Sequence, residues 1–191
     1  KNVVYFGGLY RGKDNGKLWN EVKTYIGKQY AAEEMEKIYF QSDGGAWMKK
    51  GLETLGAEFV LDGFHIQEYI RRMARLAGDT EEKREENRKK IQGWIEKGSR
   101  KELEGWAVQI KTGMKEKDQK KLEESLKYIK NNWQGIRRRV KNKESINGSS
   151  TESHISHVLS SRLSSRPKGW CREGLDKMAQ LRVYWKNGGS L

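Results

Sequence analysis

The sequence predicts an α/β fold: strands alternating with helices in a parallel sheet, interrupted by a large all-helical insertion. Three observations predict it. Short β-rich runs at residues 3–6, 38–40 and 59–61 are each followed by apolar residues at helical spacing. Strand signals then vanish from Asp79 to about Lys143, while apolar positions keep a helical period. Beyond a Gly and Ser loop at 147–150 the chain is polar and basic until a last amphipathic stripe.

Val3, Val4, Tyr5 and Phe6 form the first β-rich run, stopped by Gly7 and Gly8. Leu18, Trp19, Val22, Tyr25 and Ile26 predict a helix over 17–27 that Gly27 ends. Ile38, Tyr39 and Phe40 read as a short buried strand running into Ser42, Asp43, Gly44 and Gly45. A helix over 46–55 follows, then a strand over 59–61 that ends at Asp62. Ile66, Tyr69, Ile70, Met73 and Leu76 line one face of the next helix. Strands alternating with helices imply a parallel sheet with right-handed crossovers. Asp43 and Asp62 both stand just past the carboxyl ends of strands, where open α/β sheets place their ligands.

Asp79, Thr80, Glu81 and Glu82 read as a helix cap with acids in the first turn, as the macrodipole prefers. Leu122, Leu126, Ile129, Trp133, Ile136 and Val140 repeat with 4-3-4-3-4 spacing, a long amphipathic helix packing on another helix. Trp47, Trp94, Trp106, Trp133 and Trp170 read as core rather than as base-stacking platforms. Thr151 begins a new element, and Leu175, Met178, Ala179, Leu181, Val183 and Tyr184 predict a last helix stopping at Asn187. The predicted organisation is thus 1–78 as the first part of the core, 79–147 as the helical insertion and 148–191 as the C-terminal part of the core.

At 191 residues the chain can bury one core and an accessory helical piece. Hydrophobic residues make up 35% and charged ones 34%, but seven Trp and eight Tyr exclude wholesale disorder. Net charge is +13, and from Trp133 onward 12 Lys and Arg face 4 Asp and Glu. Such an excess attracts polyanions, of which nucleic acid is the commonest in a cytoplasm. Cys171 is the only cysteine, which excludes a disulfide framework or a multi-thiol zinc site within one chain and fits a reducing compartment. No apolar run approaches the ~20 residues of a membrane span, and no signal-peptide pattern opens the chain. The chain starts on Lys1 directly in a strand-like run, which reads as an N-terminal truncation.

Three histidines occur, and all three lie close to carboxylates: His65 follows Asp62, while His154 and His157 follow Glu152. Two chemistries fit. Asp43, Glu152 and Asp62 could hold Mg2+ or Mn2+, which prefer carboxylate oxygen and leave positions open for phosphate. Two such ions would activate the attacking oxygen and stabilise the leaving one in phosphodiester chemistry. Alternatively His65, His154 and His157 form a zinc site, since imidazole suits zinc. If 151–159 is helical, Glu152 and Ser156 share a face while His154 and His157 point to the other side, so Glu152 and both of these histidines cannot easily meet on one ion. Arg162 and Arg166 among four serines, and the run Arg137, Arg138 and Arg139, are candidate phosphate contacts.

The segments KNVVYFGGLY at 1–10, SDGGAWMKKGL at 42–52, FVLDGFHIQEYI at 59–70 and TESHISHVLSSRLSSRPKGWCREGLDKMAQLR at 151–182 carry a family resemblance. The chain resembles the Lre-type insertion-sequence transposases, a bacterial group formerly filed as an uncharacterised family and related to the Mutator-like transposases. That resemblance implies a partial RNase H-like core lacking its first strands, with a large all-α insertion before the last acidic helix. It implies an Asp-Asp-Glu triad with Mg2+ (or Mn2+), in which Asp43 is the second acid and Glu152 the third. Asp62 and His65 match a D-x-x-H signature that supports the site or contacts DNA. The first acid is expected upstream of Lys1, so the chain alone is expected to be an inactive fragment of a cytoplasmic bacterial enzyme. Its implied partners are element-end and target DNA, with homo-oligomers on DNA and no membrane. Two other readings stay open: a non-catalytic DNA-binding remnant using the same basic surface, and a zinc-binding structural module.

Overall fold

Apolar residues recurring every three or four positions make helices of most of the chain, as a computed structural model shows. The structure describes residues 3–10, 15–31, 33, 35–146, 156–160, 163 and 169–190. In chain order these residues form α1 (Asn15–Gln29), β1 (Tyr39–Ser42), a 3-10 turn (Ala46–Met48), α2 (Lys49–Leu55), β2 (Glu58–Leu61), α3 (Gly63–Ala77), α4 (Glu81–Lys97), α5 (Arg100–Lys111), α6 (Glu116–Asn131), α7 (Trp133–Lys141), a π-helical turn (Ser156–Ser160) and α8 (Arg172–Lys186). The chain divides into two compact units, one of residues 1–38, 46–57 and 149–191, the other of 39–45 and 58–148.

In the second unit β1 and β2 pair in parallel, with Tyr39 opposite Glu58 and Ser42 opposite Leu61. Helices α3 to α7 share one apolar core with β2. Leu61, Ile70, Met73, Ile91, Leu103, Leu122, Ile129 and Ile136 are its almost fully buried members. Burial of each such side chain contributes roughly 1.5–3 kcal/mol relative to exposure. Helix ends follow local chemistry. Thr80 caps α4 through Lys83 N (3.3 Å), and Gly98 ends that helix at φ +81°. Trp106 is buried, and Trp94 and Trp133 pack against the same core.

In the first unit α1 packs on α2. The Trp19 ring lies on the α2 backbone at Gly51, where an added Cβ would come within 2.7 Å of it, so only glycine permits this approach. Trp47, expected in the core, is 52% exposed and stacks on Trp19 (5.5 Å between rings, 16°). Arg182 of α8 holds the π-helical turn by donating to His157 O (2.8 Å) and Val158 O (2.9 Å).

The expected RNase H-like α/β core is not what these residues build. Among the described residues the sheet has two strands and every other regular element is a helix or helical turn. Residues 3–6, β-rich in composition, form no strand. Tyr5 and, further on, Leu9 bond instead to side chains of α8 and the residue that follows it. The Asn187 amide donates to Tyr5 O and accepts from Tyr5 N (both 2.8 Å), and Asp176 Oδ1 accepts from Leu9 N (2.7 Å). At the other side the sheet stops at β2. Because Asp62 N bonds to Ser42 O, residues 58, 60 and 62 face β1 while 59 and 61 face outward. Those outward carbonyls accept from α7 instead of from a third strand: Phe59 O from Arg138 (3.3 Å) and Leu61 O from Arg139 (3.5 Å).

The stripe from Leu122 to Val140 also departs from expectation. It runs through two helices, broken at Asn132, whose φ and ψ (−101°, 10°) leave the helical region. The Asn132 side chain donates back to Tyr128 O (3.0 Å), the local competition with the helix ladder that asparagine offers. Apolar residues keep their spacing across the break, so the stripe alone does not disclose it.

Candidate functional site

The carboxyl ends of β1 and β2 bring Asp43 and Asp62 to one edge of the sheet. They follow the register pair Ser42 and Leu61 on strands spaced about 4.8 Å apart. The two acids live in different surroundings. Asp62 is 6% exposed and is the N-cap of α3, its Oδ1 accepting from Phe64 N (2.8 Å). The unpaired amides and positive dipole end of α3 favour a carboxylate there. Asp43 is exposed, with Oδ1 accepting from Gly45 N (2.9 Å) across a tight turn.

That turn is held from α6. Tyr128 Oη donates to Asp43 O (2.5 Å), and its ring stacks on Tyr69 of α3 (3.9 Å, 14°). Gly44 sits at φ +86° with the Asn132 side chain directly against it, so any side chain there meets both strain and a clash. Burial pushes the Tyr128 phenol well above its ordinary value, with Tyr69, Asp43, Glu68 and Asp62 adding to the shift. The phenol therefore stays a neutral hydrogen-bond donor within a negative field.

His65 is the third residue of α3, so the D-x-x-H spacing joins an N-cap to the end of the first turn. Its Nδ1 is buried without a hydrogen-bond partner among the described residues, and its ring meets Phe64 edge-on (5.6 Å, 80°). The three arginines of α7 each touch protein. Arg137 donates to Ile95 O (2.7 Å) and Glu96 O (2.9 Å), satisfying the C-terminal carbonyls of α4. Arg138 pairs with Glu58 (3.3 Å), and Arg139 donates to Gln41 Oε1 (3.0 Å). His157 lies in the π-helical turn of the first unit. Glu152, His154, Arg162 and Arg166 lie outside the described residues.

Among the described residues no three His, Cys, Asp or Glu side chains form a metal-holding group. What the strand ends offer is a pair of carboxylates, hard oxygen donors of the kind that bind Mg2+ or Mn2+ together with substrate phosphate. Sequence reasoning missed Tyr128, Tyr69 and Asn132 as parts of this place. Tyr128 sits beside the apolar stripe between Leu126 and Ile129, and an amphipathic ring with a polar tip at such a position was the available signal.

Among the described residues the protein is mostly helical, with a two-stranded parallel sheet whose strand ends carry two carboxylates. The chain belongs to the family described as "Uncharacterised protein family (UPF0236)", which it matches over residues 1–191. It is similar to several proteins of Caldanaerobacter subterraneus subsp. tengcongensis. One UPF0236 protein, whose name carries eleven locus designations, is 40% identical over 193 residues, covering 100% of this chain and 39% of its own length. Another, with four locus designations, is 41% identical over 194 residues, again covering 100% of this chain and 39% of its own length. The chain thus spans about two fifths of the length of the curated relatives it matches. No solved structure matches it. No helix among the described residues is long and apolar enough to cross a membrane.

Proposed function

We propose that this chain is part of a bacterial insertion-sequence transposase, acting in metal-dependent cleavage and strand transfer of DNA. The observation that carries the reading is the pair of acids at the ends of adjacent parallel strands, one exposed and one locked. Asp43 is exposed, its Oδ1 accepts from Gly45 N, and it is the acid that would hold Mg2+ or Mn2+. Asp62 caps α3 and so positions the helix that carries His65 and Tyr69. Glu152 would supply a further carboxylate, as the resemblance to Lre-type transposases implies. Such an ion, when bound, polarises the phosphodiester and activates the attacking oxygen.

Two further observations support the reading. The net charge of +13 suits a polyanionic partner. A relative whose single name spans eleven loci in one genome is what an element that copies itself leaves behind.

The test is nicking and joining of DNA carrying the element ends, by a full-length Caldanaerobacter relative, with Mg2+ or Mn2+ supplied. The expected result is divalent-dependent cleavage that falls to background when the acid aligned with Asp43 becomes the amide. A relative with no acid at that position, or cleavage undiminished by its loss, overturns the reading. DNA bound but left intact in both metals favours a non-catalytic DNA-binding protein instead.

A further inference from the structure

Helices α3 and α4 enclose a cleft of about 350 Å³ lined by Arg71, Ala74, Arg75, Glu81, Arg84, Glu85 and Arg88. Four guanidiniums therefore share one cleft, two on each helix and each pair one turn apart. Like charges in such proximity repel, so the arrangement needs a reason. On α4 the charge is answered within the helix. Arg84 pairs with Glu81 (3.3 Å) and donates to Gly78 O (3.1 Å), and Arg88 makes two 2.7 Å bonds to Glu85. On α3 it is not. Arg72, on another face of that helix, reaches Glu124 of α6 (3.4 Å), whereas Arg71 and Arg75 form no ion pair among the described residues. Glu81 and Glu85 are spent on their own helix, and two cations are left over.

We propose that this cleft binds the phosphodiester backbone of duplex DNA, with Arg71 and Arg75 as the neutralising pair; the choice of DNA rests on the transposase reading. Guanidinium forks match phosphate oxygens in planar, two-bonded geometry. With four guanidiniums against two carboxylates the cleft keeps an excess of positive charge, which draws a polyanion in. The lining holds no aromatic side chain, so it lacks the platforms on which single-stranded bases stack. It also lacks the large apolar residues that a membrane surface would take up. The same helix carries Asp62 at its N-terminus. Arg71 and Arg75 lie nine and thirteen residues further on, about 14 and 20 Å along the axis. That span is about four to six base pairs of duplex at 3.4 Å each. DNA held in the cleft would thus be gripped a few base pairs from the strand-end acids.

The experiment is fluorescence anisotropy of a short duplex with the 191-residue chain, in EDTA, across a KCl series. Each lost phosphate contact lowers the slope of log K against log salt by about 0.9. R71Q/R75Q is therefore expected to lower the slope by about 1.8 and to weaken binding tens of fold near 0.1 M salt. K117Q/K120Q removes equal charge from exposed positions on α6 and is expected to leave the slope unchanged. R71K/R75K keeps the charges and is expected to keep the slope, which separates charge from folding. An unchanged slope in R71Q/R75Q, an equal drop in K117Q/K120Q, or a drop confined to single-stranded DNA or anionic lipid vesicles overturns the proposal. Because no divalent cation is present, absence of nicking leaves this result standing, and a failed slope test leaves the nicking result standing.

Discussion

The arginines of α7 and those of α3 have the same side chain and opposite employment. Arg137, Arg138 and Arg139 are consecutive, the densest basic run in the chain, yet each guanidinium is turned onto carbonyls or side chains of α4, β1 or β2. Arg71 and Arg75 are separated in sequence, interleaved with an arginine that does pair, and meet no carboxylate among the described residues. A helix packed on a sheet edge and on a helix C-terminus finds unsatisfied carbonyls within reach, and arginine answers them. A helix face opening onto a cleft finds solvent. Topology, not local charge density, decides which cations remain for a ligand.

The sharpest way to break this contrast is stability. Arg137→Ala removes two bonds to helix-end carbonyls, one of them part-buried, and is expected to cost about 2 kcal/mol, leaving the DNA salt slope unchanged. Arg71→Ala is expected to stay within about 0.5 kcal/mol. Thermal melts of both variants check this, and equal losses would erase the distinction. Next in size, Asp62→Ala removes the cap of α3 and is expected to cost about 1–2 kcal/mol. Asp43→Ala, which removes an exposed carboxylate bonded to Gly45 N, should melt within about 0.5 kcal/mol of the parent. Gly44→Ala forces a side chain into the left-handed region against Asn132, at an expected cost of about 1 kcal/mol or more. Urea unfolding measures it.

The smallest effect is confined to alkaline pH. The Tyr128 phenol is raised above 10.0, so the folded state holds its proton more tightly than the unfolded chain. That contribution is fully present below pH 10 and is lost as pH rises through the folded value. Tyr128→Phe is therefore expected to flatten the decline of melting temperature above pH 10. An identical decline in both proteins would contradict the shift.

Periodicity located α1, α3, α4 and both strands to within a few residues, because each carries its own apolar face or β-rich run. It failed where a residue's partner, not its type, decides the outcome. Val3, Val4, Tyr5 and Phe6 are as β-prone as Tyr39 and Phe40, but they meet the Asn187 amide rather than a strand. The break at Asn132 hides inside an unbroken apolar rhythm. At the site, Asp43 and Asp62 were legible from their place after strands, since a strand end followed by Asp and Gly is a local signal. Their division into an exposed and a capping acid was not, because burial of Asp62 depends on the α3 to α7 core around it. The protein partners of the guanidiniums of 137–139 were not legible for the same reason. Tyr128 entered the site only through a contact 85 residues away in sequence.

On the proposed function, Asp43 rather than Asp62 presents a carboxylate to a divalent cation. Titration of Mn2+ into the chain, followed by electron paramagnetic resonance, tests it most directly. In Asp43→Asn the affinity should fall at least about tenfold, the loss of roughly 1.4 kcal/mol, with the melting temperature unmoved. Asp43→Asn binding Mn2+ as tightly as the parent would overturn this assignment.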